Sequence, residues 1–120
     1  LLTKDNEGNN RSLVFRLSSV NNSFLFSGDA EVPLELALIK TFCPNGVNGC
    51  DVFQADYLKV GHHGSDSSSS EEWLEAVRPK FGIVSVGKNK FGHPSLRVIR
   101  KLERINAELW RTDQRGDIVI

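Results

Sequence analysis

No methionine occurs among the 120 residues and the chain opens on Leu1, so the sequence is expected to be a piece cut from a longer protein. No apolar run approaches the roughly 18–20 residues that a membrane span needs. No stretch has the make-up of a signal peptide, and signals upstream of Leu1 would decide localisation. Net charge is also lacking, with fifteen basic side chains against fifteen acidic ones. No global field therefore draws the chain to nucleic acid or anionic lipid, and any contact with DNA would rest on a local patch. Cysteine is scarce: Cys43 and Cys50 are too few for a disulfide-dense miniprotein. Their six-residue spacing is also unlike the short spacing of zinc-finger pairs. The loop between them, Pro44-Asn45-Gly46-Val47-Asn48-Gly49, consists of turn formers. A disulfide across it would contribute on the order of 2–3 kcal/mol and indicate an oxidising compartment. Two unrelated thiols in a reduced protein are the alternative.

What remains is ordinary for a globular protein, 39% hydrophobic and 25% charged, and residues 1–120 are expected to form one domain with one modest core. Residues 3–12 are polar, and Asp5-Asn6-Glu7-Gly8-Asn9-Asn10 reads as a turn or loop. Residues 13–17 and 24–26 read as an antiparallel hairpin. Pro33 suits the first turn of a helix, with Leu34, Ala37, Leu38 and Phe42 at helical spacing. Residues 57–60 form a short strand. Ser69 and Glu72 form a capping-box pair before a helix carrying Trp73, Leu74 and Val77, which Pro79 stops. The apolar run 81–86 predicts a central strand covered on both faces. Gly92-His93-Pro94 opens a last helix with Leu96, Ile99, Leu102 and Ile105 on its buried face. Residues 109–111 and 118–120 are expected to close as a hairpin. Six short strands and three helices predict an α/β architecture with a mixed sheet.

Three places put polar, metal-competent groups at strand ends, where ligands gather in open α/β sheets. Asp29 in Ser27-Gly28-Asp29 is able to bind one cation or bridge two; its plain alternative is a helix cap. His62 and His63, between Gly61 and Gly64, are candidate zinc ligands; the alternative is a pair of surface histidines. Neighbours on an extended chain point to opposite sides, so one histidine is expected to ligate while the other meets a phosphate or leaving group. Lys88, Lys90 and His93 precede a helix N-terminus, a place that suits anions, or they form a solvated loop.

Taken together these residues resemble the metallo-β-lactamase superfamily, and within it the hydrolase domains of ComEC type from bacterial competence (DNA-uptake) proteins. The resemblance runs through Arg11-Ser12-Leu13-Val14-Phe15, Phe24-Leu25-Phe26-Ser27-Gly28-Asp29-Ala30-Glu31 and Asp56-Tyr57-Leu58-Lys59-Val60-Gly61-His62-His63-Gly64-Ser65. It continues in Ile83-Val84-Ser85-Val86-Gly87, Gly92-His93-Pro94 and Arg111-Thr112-Asp113-Gln114, so that only the cysteine loop stands apart. It implies that the chain is the C-terminal αβ half of an αββα sandwich. Asp29 is then the metal-bridging aspartate, His63 the final histidine ligand, and His62 the group that orients or protonates the scissile group. Ser65, Lys88, Lys90 and His93 fall to substrate binding. The family's His-x-His-x-Asp-His cluster is not in this sequence, so most ligands for the two zinc or manganese ions would come from the missing N-terminal half. The implied activity is phosphodiester hydrolysis, with DNA as substrate and a membrane channel in the same parent chain. The implied place is the extracytoplasmic face of a bacterial membrane. Other readings of the same fold are a secreted phosphodiesterase, such as a phosphorylcholine esterase, and a non-catalytic binding module.

Overall fold

The structure, a computed structural model, describes residues 8–120. The expected loop at 5–10 lies partly outside them; its described part opens a 3-10 turn, Gly8–Arg11. Strand β1 (Phe15–Ser18) pairs antiparallel with β2 (Ser23–Phe26), as the hairpin pattern predicts. Parallel pairing then continues through β3 (Tyr57–Lys59), β4 (Phe81–Val84) and β5 (Glu108–Arg111), in sheet order β1-β2-β3-β4-β5. Helices α1 (Val32–Phe42), α2 (Glu71–Val77) and α3 (Leu96–Arg104) link the parallel strands.

The core lies between the helices and one face of the sheet. Leu25, Leu58, Val60 and Val84 meet Trp73, Leu74 and Val77 of α2 and Val98 and Leu102 of α3. Gly82 lets α3 come close, since a Cβ there would stand 3.1 Å from Leu102 Cδ2. The opposite face is a band of aromatics. Phe15 stacks on Phe26 at 4.8 Å, Phe24 on Tyr57 at 4.9 Å and Tyr57 on Phe81 at 4.8 Å, with Trp110 following at 4.7 Å. Phe81 and Ile83 on this side are only half-buried, so β4 is not covered on both faces as expected. The apolar run does not distinguish a strand sealed by two helical layers from one whose second cover lies elsewhere.

Three further expectations are corrected. Residues 118–120 form no strand: after β5 the chain turns through α4 (Thr112–Arg115), and Ile118 and Ile120 line one cleft with Phe24, Phe26 and Ile83 on the aromatic face. The cap of α2 is Ser70, whose side chain accepts from the Trp73 N–H, because Ser69 is held in a left-handed turn (φ 59°). On α3 the buried residues are Val98 and Leu102, while Leu96 and Ile105 are exposed. Lys101, on the same helix, donates to the Ser69 carbonyl at 3.0 Å.

Cys43 and Cys50 are joined by a disulfide. Mass spectrometry of unreduced protein is expected to find them linked, and reduction to cost about 2–3 kcal/mol of stability for so short a loop. Two free, rapidly alkylated thiols in protein from its native compartment would contradict this.

Candidate active site at the strand ends

The carboxyl ends of β2, β3, β4 and β5 lie on one edge of the sheet, and their exits carry Asp29, His62-His63, Ser85 and Thr112. Glycines make the close approach of these exits possible. A Cβ on Gly61 would stand 2.7 Å from the Ala30 carbonyl oxygen. One on Gly64, where φ is +78°, would stand 2.6 Å from Pro94 Cβ. The His62 N–H and the Lys59 ammonium both donate to the Gly28 carbonyl, at 3.1 and 3.2 Å. Burial lowers the pKa of Lys59, and the nearby charge of Asp29 works against that fall.

His62 and His63 do not lie on extended backbone. Both are left-handed, with φ of 43° and 54°, a conformation costing roughly 1–2 kcal/mol per non-glycine residue. Hydrogen bonds hold the turn. Ser68 Oγ pairs with the carbonyls of Gly61 (2.9 Å) and Ser65 (2.8 Å), and the Ser65 N–H donates to the His62 carbonyl at 2.9 Å. The buried carboxylate of Glu35 accepts the N–H groups of Ser69 (2.6 Å) and Ser70 (2.8 Å), anchoring the serine run to α1. Burial pushes the Glu35 carboxyl pKa up, against these donations and the charge of Lys101.

The two rings still serve different partners. His63 Nδ1 lies 2.6 Å from the Ser85 carbonyl oxygen. A carbonyl only accepts, so Nδ1 carries a hydrogen, and in the neutral ring Nε2 is the nitrogen with the lone pair. That Nε2 faces Asp29 Oδ1 at 3.5 Å, with both side chains about half exposed. Donors 2.0–2.1 Å from a tetrahedral ion stand about 3.3 Å apart, so this pair suits the chelation of one cation. Asp29 does not cap α1, whose N-cap position belongs to Glu31 and has no side-chain cap. Among the described residues, no three His, Cys, Asp or Glu side chains group closely enough to hold an ion.

His62 Nδ1 lies 3.0 Å from Glu31 Oε1, an oxygen that also accepts from Asn9 Nδ2 (3.2 Å) and Ser67 Oγ (2.9 Å). Burial would raise the Glu31 pKa, but the bonds from Asn9 and Ser67 and the His62 ring outweigh it and hold the carboxyl below its ordinary value. The His93 ring centre is 5.7 Å from that of His62. Burial, together with His62 and His63, pulls its pKa down, partly offset by Asp66. The loop before it is organised by Asn89, which accepts the N–H groups of Phe91 and His93 and donates to the carbonyls of Gly87 and His93. Lys88 and Lys90 project from that loop, exposed. Ser65 is buried, its hydroxyl 2.9 Å from that of Ser67. Thr112 fixes the exit of β4, accepting the Val86 N–H and donating to the Val86 carbonyl, both at 2.8 Å. Sequence reasoning missed Asn9, Glu31, Glu35, Ser67, Asn89 and Thr112. Glu31 and Thr112 lie inside the resembling segments but had no role attached to them.

No family model matches the chain. It is similar to ComE operon protein 3 of Bacillus subtilis, 40% identical over 111 residues that cover 92% of this chain and 13% of the relative. It is 33% identical over 111 residues to Recombination protein 2 of Haemophilus influenzae, again 92% of this chain and 13% of the relative. Competence protein ComA of Neisseria gonorrhoeae is 31% identical over 114 residues, 94% of this chain and 16% of the relative. The chain thus matches a small segment of much longer competence-related proteins.

Proposed function

We propose that the chain is the C-terminal half of a metal-dependent phosphodiester hydrolase domain of metallo-β-lactamase type, within a ComEC-type DNA-uptake protein. The observation that carries this reading is the His63–Asp29 pair. One imidazole is locked through Nδ1 onto Ser85, and its free Nε2 is aimed at a carboxylate at the edge where the parallel strands end. Nearly all of the chain aligns with segments of proteins named for competence and recombination, which supports DNA as the substrate. The disulfide supports an extracytoplasmic site. The N-terminal half of the domain would supply the remaining ligands and cover the aromatic face.

Asp29 and His63 would hold two zinc or manganese ions together with ligands from that half. Ions there would supply Lewis acidity and a water of lowered pKa. The chain's own residues then do the rest. Lys88 and Lys90 attract the diester phosphate, and the His93 ring offers it a hydrogen bond. As the bond from water oxygen to phosphorus forms and the bond to the leaving oxygen breaks, the protonated ring of His62 gives its Nε2 hydrogen to that leaving oxygen and keeps the one on Nδ1, while the proton released by the attacking water passes to solvent. Metal analysis tests the reading. The full-length protein is expected to carry about two ions per chain and to cleave DNA, while the 120-residue chain binds zinc or manganese weakly. Tight stoichiometric binding by the chain alone, or metal-free full-length protein that cleaves equally well, would refute it.

A further inference from the structure

We infer that Glu31, braced by Asn9 and Ser67, is the positioning residue that holds the His62 ring with Nε2 presented to the substrate. The inference rests on the proposed hydrolase reading and adds to it a residue and the nitrogen that acts. Glu31 occupies the N-cap position of α1, yet its side chain makes no cap hydrogen bond. The helix start is served by backbone alone, with the Leu34 and Glu35 N–H groups donating to the Glu31 carbonyl at 3.0 and 3.1 Å. The carboxylate turns away to meet His62 Nδ1 at 3.0 Å.

Two donors, Asn9 Nδ2 and Ser67 Oγ, converge on Glu31 Oε1, and His62 Nδ1 meets the same oxygen. An oxygen saturated by donors acts as an acceptor, so the hydrogen in the His62 contact sits on Nδ1. Nε2 is then the nitrogen left to exchange a proton with a ligand, the second-sphere device by which carboxylates fix imidazoles. Asn9 Nδ2 stands 3.4 and 3.5 Å from the two ring nitrogens and so also limits rotation of the ring. Ser67 reaches Glu31 from the same serine run whose next member, Ser68, pins the histidine turn.

The test uses the full-length protein and two diesters, one with an alkoxide leaving group, which needs a proton, and one releasing p-nitrophenolate, which does not. Glu31→Ala is expected to lower kcat on the alkyl diester about 10- to 100-fold, leaving KM, metal content and turnover of the p-nitrophenyl diester near wild type. Glu31→Gln is expected to restore most of the loss, because its amide oxygen accepts the same Nδ1–H. Equal losses on both diesters, or none on either, overturn the inference. If the wild-type protein turns over neither diester, it is the hydrolase reading that has failed. Nitrogen-15 NMR of labelled histidine then decides the positioning role separately. Measured on the neutral ring, above its titration, an Nδ1–H tautomer of His62 that Glu31→Ala abolishes supports it, and an Nε2–H tautomer in the wild type overturns it.

Discussion

Asp29→Asn in the full-length protein is expected to lose phosphodiester hydrolysis by more than the roughly 10- to 100-fold that outer partners of a metal site are worth, with stability nearly unchanged. The carboxylate stands 3.5 Å from His63 Nε2, and an uncharged amide is a poor ligand for an ion shared across that gap. Folding has little stake in the side chain, which is about half exposed and caps no helix. His63→Ala is expected to come close to the same loss, and His62→Ala to lower turnover more than metal content. Steady-state kinetics with metal analysis on each variant provides the check. Full hydrolysis by Asp29→Asn would remove the metal assignment and with it the enzymatic reading.

The second large effect is expected on the aromatic face. Phe81 sits between Tyr57 (4.8 Å) and Trp110 (4.7 Å) at the centre of that face. If another layer of the full-length protein covers it, Phe81→Asp puts a charge into a dry interface and forfeits a buried ring, a cost of about 3 kcal/mol or more. For a domain of some 150–250 residues that corresponds to roughly 6–12 °C in Tm. Thermal unfolding of the full-length variant reads this directly. A shift of no more than about 2 °C, the scale of ordinary surface changes, would mean that the face stays open to solvent.

Much of the architecture was legible because it rests on local signals. Strand-end glycines before Asp29 and around the histidines mark close backbone approach, and the apolar runs in residues 13–17 and 24–26 on either side of a polar connection mark the hairpin. The failures share a cause, dependence on partners distant in sequence. Glu35 looks like a solvated helix position, yet it is fully buried because Ser69 and Ser70, more than thirty residues away, offer it two N–H groups. Ile118-Val119-Ile120 has strand propensity but gains no ladder, since α4 turns it away from β5 and across the aromatic rings. The left-handed histidines defy backbone preference altogether. Their turn exists because Ser68 holds its carbonyls and the glycines on either side leave room for Ala30 and Pro94.

The strand order β1-β2-β3-β4-β5 has a consequence for how the domain comes into being. Every new strand joins the one made just before it, so no strand must insert between two that are already paired. Winding of this kind keeps loop closures short and favours rapid formation. It also means that each strand added during synthesis extends an uncovered aromatic surface, a hazard for association with other chains. A partner layer encoded upstream would leave the ribosome first and stand ready as a template, receiving the rings of β1 through β5 one strand at a time.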